Sequence, residues 1–149
     1  MGDRYVPEKK GSTLKEHTAD IWLISEGDSL EHMFSAAVSG LYRLMANEFI
    51  TGKGEKRTES FSANQVEEVL IDILSEALYL FDAESRLILE PSFTIERMNG
   101  RIDVKMDYVS KKAEIPEGAG GMEVKAPTYH GAELEEKNGN YKCKILLDV

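Results

Sequence analysis

The sequence predicts an α+β fold, in which two amphipathic helices pack on largely antiparallel β-sheet within a single compact domain spanning residues 1–149. Apolar residues recur at helical spacing in two long stretches, which are separated by a segment of strand character. Segments rich in β-branched and aromatic residues precede the first stretch and follow the second. The resulting order of strand, helix, strand, helix and then a run of strands is typical of the α+β class.

The first predicted helix lies in DSLEHMFSAAVSGLYRLM, where apolar side chains fall on one helical face. We expect Asp28 or Ser29 to cap its start, with Glu31 in the position of a capping-box carboxylate. The second lies in NQVEEVLIDILSEALYLFDAES, with Asn64 as the expected cap and Glu67 in the reciprocal position. Each stretch therefore predicts a helix with one buried face.

Three carboxylates, Glu68, Asp72 and Glu76, recur every four residues along the second predicted helix. This spacing places them on one side, and we expect them to form the solvated face opposite the core. A docking face for a basic partner is the alternative interpretation.

The remaining segments favour strands, which are bounded by glycine, asparagine and proline. The predicted strands are Ala19–Ser25, Glu59–Ser62, Arg86–Arg97, Arg101–Val109, Val124–His130, Ala132–Glu136 and Tyr141–Leu147. Asn-Gly pairs at residues 99–100 and 138–139 predict hairpin turns. The segment GKGEK at residues 52–56 predicts an exposed turn, and KKAEIPEGAGG at residues 111–121 predicts a mobile loop. Residues 1–14 are expected to be partly flexible.

Charge and composition exclude several classes of function. The formal net charge of −9 repels phosphate backbones and disfavours non-specific binding to nucleic acid. No apolar run has the length of a membrane span, and the first residues lack the apolar middle of a signal peptide, so we expect a cytoplasmic protein without a membrane partner. The single cysteine, Cys143, is expected to be a buried and inert thiol in the last strand.

A first polar cluster, EHTAD, occupies residues 16–20 at the entrance to a predicted strand. His17, Thr18 and Asp20 in this position could bind a metal ion or organise a proton relay. The simpler interpretation is a loop in which Asp20 or Thr18 caps local backbone groups, and a lone histidine is usually structural or solvated.

A second polar cluster, KAPTYHG, occupies residues 125–131. Lys125, Tyr129 and His130 could support acid–base chemistry or phosphate binding. Strand alternation would place Lys125 and Tyr129 on one face and His130 on the other. A solvated lysine beside a cross-strand tyrosine is therefore the simpler interpretation.

The last segment, ILLDV, combines a buried-strand composition with two adjacent anionic groups. Asp148 and the α-carboxylate of Val149 lie within one residue of each other, so both can reach one cation. With Asp20 they make three anionic oxygen donors and no thiolate, a set that suits Ca²⁺, Mg²⁺ or Mn²⁺ rather than zinc. A solvated chain end is the alternative, but the apolar strand before Asp148 indicates that the end is held. A held pair of like charges favours a bound cation.

Five segments together resemble the archease family: EHTADIWL, GLYRLM, LSEALYLFD, EVKAPTYHG and ILLDV. They follow one another in the family's order from about Glu16 to Val149, so the resemblance covers nearly the whole chain. The motifs H-T-A-D and L-D-V are specific as a pair. Pro127 departs from the family, which more often has an aliphatic residue there. Because proline lacks a backbone donor, it indicates an edge strand or a bulge.

The resemblance implies a protein that activates an RtcB-type RNA ligase in tRNA splicing and that is not itself an enzyme. Such an activator promotes guanylylation of the ligase, supports multiple turnover and widens the choice of nucleoside triphosphate. The family's metal site matches Asp20, Asp148 and Val149, with Ca²⁺ as the implied ion, and Lys125 matches a lysine of the family motif. The protein would meet tRNA only through the ligase.

Two other classes of function remain open. A small metal-dependent hydrolase would bind its metal through Asp20 and Asp148 and use His17 or His130 as the base. A chaperone-like binding module would carry a purely structural ion. The sequence contains no phosphate-binding loop and no dinucleotide fingerprint, which argues against a nucleotide-dependent enzyme.

Overall fold

The structure, a computed structural model, describes residues 20–45 and 50–149. These residues form two helices and six strands, which confirms the predicted α+β class. In chain order the elements are β1 (Asp20–Gly27), α1 (Leu30–Met45), β2 (Ile50–Ala63), α2 (Val66–Glu84), β3 (Arg86–Met98), β4 (Arg101–Ala113), β5 (Ala126–Lys137) and β6 (Asn140–Asp148). Neither of these helices is long and apolar enough to cross a membrane. The prediction that residues 1–14 are flexible lies outside the described residues.

The strands pair antiparallel in two three-stranded sheets. Sheet A has the order β1-β6-β5, and sheet B has the order β2-β4-β3. The predicted Asn-Gly turns join β3 to β4 and β5 to β6, with Asn99 and Asn138 at positive φ. Because β6 is the central strand of sheet A, the last residues of the chain are held on both sides.

The hydrophobic core is formed by both helices together with the inner faces of the two sheets. Helix α1 packs on β1 and β3, whereas α2 contacts strands of both sheets. The largest fully buried side chains are Phe34, Met33, Leu41, Leu70, Ile73, Leu74, Leu80, Leu87, Ile88, Met106, Ile145 and Leu147. Each such side chain contributes about 1.5–3 kcal/mol relative to full exposure. Ile145 and Leu147 therefore anchor the chain end, as the sequence predicts.

The cap of α1 is as predicted, whereas the cap of α2 lies one residue later than predicted. The hydroxyl of Ser29 accepts a hydrogen bond from the N–H of His32 at 3.1 Å and caps α1. Helix α2 is capped one residue later than predicted, because Glu68 rather than Glu67 accepts a hydrogen bond from the N–H of Gln65, at 3.2 Å.

The prediction of an exposed turn at residues 52–56 is wrong. These residues belong to β2, which pairs with β4 across a register shift between Thr51 and Glu55. All five residues are exposed. Glu55 and Lys56 pair with Ser110 and Val109 of β4, whereas residues 52–54 form the irregularity between the two paired parts of β2. A strand without an apolar face gives no alternating pattern, which explains why the sequence did not show it.

The segment predicted as a loop at residues 111–121 begins within β4, which extends to Ala113. Beyond it, the N–H groups of Gly121 and Met122 donate to the carbonyls of Met45 and Leu44 at 3.3 and 2.7 Å. These bonds satisfy carbonyls at the end of α1, so this part of the connection serves as a helix cap.

Candidate metal centre

Asp20 and Asp148 lie directly opposite each other in the first pair of the β1–β6 ladder. On its other side, Asp148 is paired with Ala126 of β5. Directly opposed residues of an antiparallel sheet share a face, with Cβ atoms about 4.5–5.5 Å apart. The fold therefore brings together two of the three donors that the sequence predicts.

The two carboxylates lie on the outward face of sheet A. Leu147 is fully buried, so its neighbour Asp148 points away from the core. Asp20 is exposed, whereas Asp148 is half-buried. The pair thus occupies one end of the outward face of sheet A.

The surroundings of Asp148 leave one of its oxygens without compensation. Its Oδ1 atom is buried and has no hydrogen-bond partner among the described residues. Neither Asp148 nor Asp20 forms an ion pair with another described residue. A buried carboxylate oxygen without a donor is costly, and a divalent cation would compensate it. The residues present therefore fit a hard, oxygen-preferring ion such as Ca²⁺, Mn²⁺ or Mg²⁺.

The third predicted donor is the main-chain carboxylate of Val149. Val149 is half-buried, and its side chain packs against the core. The N–H of Lys125 donates to the main-chain carbonyl of Asp148 at 2.8 Å, which holds this segment from the side of β5. Within residues 20–45 and 50–149, no three His, Cys, Asp or Glu side chains gather as a metal site. A three-anion site on the described residues would thus require the carboxylate of Val149.

Of the other predicted site residues, the structure places only Lys125 beside the two aspartates, through its backbone. His17 and Thr18 lie outside the described residues. Lys125 immediately precedes β5 and its side chain is exposed, while its backbone lies beside Asp148. His130 is exposed as well.

The alternation that the sequence predicts for the KAPTYHG segment is interrupted by a bulge. The register of β5 against β6 shifts between Thr128 and Glu133, and Gly131 within the bulge has a φ of 71°. Tyr129 and His130 are both exposed there. The bulge and the position of β5 at the edge of sheet A agree with what Pro127 indicates.

Trp22 is a neighbour of the candidate centre that the sequence reasoning did not single out. Its side chain lies outward on β1, 43% exposed, and reaches across the sheet to Gly131. A Cβ atom on Gly131 would lie 2.9 Å from the Cη2 atom of Trp22, so only glycine fits beneath the ring. The Nζ atom of Lys144 lies 4.7 Å from the ring centroid. An isolated glycine within a strand pattern was the available signal for this bulge.

The carboxylates on α2 do not form the fully solvated face that the sequence predicts. Glu68, Asp72 and Glu76 are all half-buried, because α2 contacts both sheets. Burial raises the pKa of Asp72, with a further contribution from the charge of Glu68. Burial likewise raises the pKa of Glu76, and the charge of Glu59 adds to it.

The single thiol is as the sequence predicts. Cys143 is fully buried on β6. Burial raises the pKa of Cys143 to about 12, and the charge of Glu67 acts in the same direction. The raised pKa keeps the thiol protonated at physiological pH, as is usual for a buried cysteine in apolar surroundings.

Comparison with known proteins shows the family to which this sequence and fold belong. Residues 13–149 match the Archease protein family. The chain belongs to the archease family. The protein archease of Methanosarcina mazei is 28% identical over 138 residues, which are 90% of this chain and 92% of that protein.

Two solved structures share the fold. The solution structure of protein 1598 from Methanobacterium thermoautotrophicum superposes with a TM-score of 0.70 at 26% identity, over 91% of this chain and 96% of that one. A crystal structure from Thermotoga maritima, named an archease and possible chaperone, has a TM-score of 0.61 at 22% identity, covering 95% of this chain and 100% of its own. The second similarity extends to the fold alone.

Proposed function

We propose that this archease is a protein activator of an RtcB-type RNA ligase in tRNA splicing, and that it has no ligase, nuclease or nucleotidase activity of its own. Membership of the archease family over residues 13–149 is the observation that carries the proposal. The activator promotes guanylylation of the ligase and multiple turnover, and it broadens the use of nucleoside triphosphates. It acts in the cytoplasm and reaches tRNA only through the ligase.

The activator holds a divalent cation, Ca²⁺ first and Mn²⁺ or Mg²⁺ as substitutes, between Asp20, Asp148 and the α-carboxylate of Val149. The opposed positions of the two aspartates and the unpaired Oδ1 atom of Asp148 support this assignment. When bound, the ion supplies a fixed positive charge at the end of sheet A. The protein's own residues hold that charge on a rigid strand pair, which a loop could not do as reliably.

Lys125 is the leading candidate for direct contact with the ligase. Its side chain is exposed, and its backbone is fixed to Asp148 by a hydrogen bond of 2.8 Å. A cation in this position can meet a carboxylate of the ligase or a phosphate that the ligase carries. The net charge of −9 suits a partner with a basic, RNA-binding surface, because opposite charges accelerate encounter.

The test assays the purified protein alone against phosphoesters and nucleoside triphosphates, and then with an RtcB-type ligase, GTP and Mn²⁺. We expect no turnover alone, and substoichiometric amounts should raise the ligated product beyond one turnover per ligase. Robust hydrolysis by the protein alone that is lost in Asp20→Ala would establish the hydrolase instead. Suppression of ligase aggregation without any effect on guanylylation would establish the chaperone-like module.

Two variants separate Lys125 and the chain end within this assay. Lys125→Ala should fold normally, since exposed substitutions change stability by about 0.5 kcal/mol or less, yet reduce activation. A tag appended after Val149 replaces its carboxylate by a neutral carbonyl and should reduce both Ca²⁺ affinity and activation. The same tag placed before Met1 is the matched control and should change neither.

A further inference from the structure

Thr128 lies on the same outward face of sheet A as the proposed metal ligands. Thr128 is opposite Leu146, and the next outward pair along these two strands is Ala126 opposite Asp148. Thr128 and Asp148 are therefore diagonal neighbours, whose Cα atoms are about 7–8 Å apart in an antiparallel sheet. Because both side chains lean out of the same face, a cation at 2.3–2.6 Å from each oxygen can bridge them.

The hydroxyl of Thr128 shares an unusual property with Asp148. Its Oγ1 atom is buried and has no hydrogen-bond partner among the described residues, as is the case for Oδ1 of Asp148. A buried hydroxyl normally rotates to reach a neighbouring acceptor, so an unpaired one needs an explanation. Only two other buried side-chain oxygens in the described part of the chain are unpaired, those of Ser25 and Tyr108. Two such atoms as diagonal neighbours on one face indicate a common missing partner.

Sheet B contains a comparable threonine and aspartate on neighbouring strands, and there the two side chains are hydrogen-bonded to each other. Thr58 and Asp107 are directly opposed on β2 and β4, and the Thr58 hydroxyl donates to Oδ1 of Asp107 at 2.6 Å. A threonine and an aspartate on neighbouring strands thus satisfy each other when nothing else is bound. The diagonal placement of Thr128 and Asp148 leaves space between their oxygens instead.

The β5 bulge fixes Thr128 in this position. Thr128 is the last residue of β5 in register before the shift that ends at Glu133. Within the shift, Gly131 lies against the ring of Trp22, which in turn is covered by Lys144. These contacts lie on the outward side of the bulge, next to Thr128, which is paired with Leu146 and not with Asp148.

We propose that the Thr128 hydroxyl is a further, neutral oxygen donor to the cation held by Asp20, Asp148 and Val149. The inference rests on the proposed metal site and extends its ligand set by one residue. A neutral oxygen adds coordination without adding charge, which suits Ca²⁺ with its six to eight ligands better than it suits a smaller ion. Thr128 therefore increases Ca²⁺ affinity more than Mg²⁺ affinity.

The experiment measures Ca²⁺ and Mg²⁺ binding to the whole purified protein by isothermal titration calorimetry. Thr128→Val is nearly isosteric and removes the hydroxyl, and it should weaken Ca²⁺ binding about tenfold, a loss of the size seen when groups that support a metal site are removed. Thr128→Ser keeps the hydroxyl and should bind Ca²⁺ within about twofold of the parent. Thr58→Val is the matched control on sheet B and should leave Ca²⁺ affinity unchanged.

Thermal unfolding without added metal provides the second measurement. Thr128→Val should be at least as stable as the parent, because it removes a buried unpaired hydroxyl, whereas Thr58→Val should lose stability with its hydrogen bond. Should Thr128→Val fail to fold, Thr128→Ala must show the same loss of Ca²⁺ affinity.

The possible failures are distinguishable. Unchanged Ca²⁺ affinity in Thr128→Val, alongside lost affinity in Asp148→Asn, overturns the role of Thr128 and leaves the proposed metal site standing. Absence of Ca²⁺, Mn²⁺ and Mg²⁺ binding by the parent overturns the role of Thr128 and the metal site together. Equal losses of Ca²⁺ affinity in Thr128→Ser and Thr128→Val also overturn the proposal, because the hydroxyl would then not matter.

Discussion

The outward faces of the two sheets differ in whether their polar side chains have hydrogen-bond partners. On sheet B, polar side chains satisfy one another: Thr58 donates to Asp107, and Arg101 donates to Asp103 at 3.1 Å. On sheet A, Trp22 and Ile24 are 43% and 53% exposed, and an oxygen of Asp148 is buried without a partner among the described residues. A face whose polar side chains are all paired with one another does not require a bound ion or ligand. This oxygen lies at the end of sheet A where the carboxylates of Asp20 and Asp148 meet, which is where we propose that a cation binds.

The largest difference between the faces should appear when the same substitution is made on each. Asp148→Asn removes an anionic ligand but keeps its shape, and we expect Ca²⁺ affinity to fall by about 100-fold or more. Asp103→Asn is its counterpart on sheet B and should leave Ca²⁺ affinity unchanged. Titration calorimetry of both variants measures this difference. Equal affinities for Asp148→Asn and the parent would mean that the LLDV segment only ends a strand.

The same two variants should differ in the opposite sense when metal is absent. Hydrogen bonds from Ser62 and then Arg101 lower the pKa of Asp103. Its ionised form therefore contributes stability above the unfolded pKa, and this contribution is lost as pH falls through the lowered folded pKa. Asp103→Asn should thus be less stable than the parent at pH 7, and the gap should close in acid. Asp148→Asn should be as stable as the parent or more stable, because an uncompensated charge is removed. Urea unfolding at several pH values distinguishes the two patterns.

Two glycines at positive φ provide a second comparison: Gly131 in the bulge of β5 and Gly139 in the turn that joins β5 to β6. Gly131→Ala places a side chain at a φ of 71° and within 2.9 Å of Trp22, and we expect a loss of about 2–3 kcal/mol in the free energy of unfolding. Gly139→Ala has a φ of 80° but no atom within 4 Å of the new Cβ, so it should lose only about 1–2 kcal/mol. Denaturant unfolding measures both.

A double variant identifies the cause of the difference between these glycines. In a Trp22→Ala background, the loss caused by Gly131→Ala should fall to the value for Gly139→Ala, since the ring that it meets is gone. A loss that stays the same in this background would assign the whole effect to backbone strain and would remove Trp22 as the residue that holds the bulge.

The sequence predicted most clearly those parts of the fold that bury an apolar face. Both helices and β6 carry such a face, and their side chains are buried as expected, for example Phe34, Leu74 and Ile145. The first half of β2 lacks such a face, and its glycines and charged residues predict a turn instead. Asp20 and Asp148 were identified from their chemistry as oxygen donors, and their direct pairing is now seen. The role that we propose for Thr128 could not have been predicted from the sequence, because it depends on a bulge and on an unpaired hydroxyl, and neither leaves a periodic signal.

The smallest expected effect concerns the inner face of sheet B, which helix α2 contacts and near which Glu76 lies. Burial raises the pKa of Glu76, and the charges of Glu59 and Glu84 add to this, while Arg57 acts against them. A carboxyl with a raised folded pKa binds its proton more tightly in the folded state, so its ionisation costs stability as pH rises from the unfolded pKa through the folded one.

Glu76→Gln cannot ionise and should escape this cost. We expect its melting temperature to exceed that of the parent by about 1–2 °C at pH 7, and the two should converge below about pH 4, where the parent carboxyl is protonated in both states. Glu31→Gln, on the first turn of α1 and exposed, is the control, and its melting temperature should not exceed that of the parent at pH 7, because a negative charge near a helix N-terminus is favourable. Thermal unfolding followed by circular dichroism between about pH 3 and pH 8 tests both expectations. A Glu76→Gln variant less stable than the parent at pH 7 would show that the attraction of Arg57 outweighs burial, and that sheet B stabilises charge on its inner side as well as on its outer one.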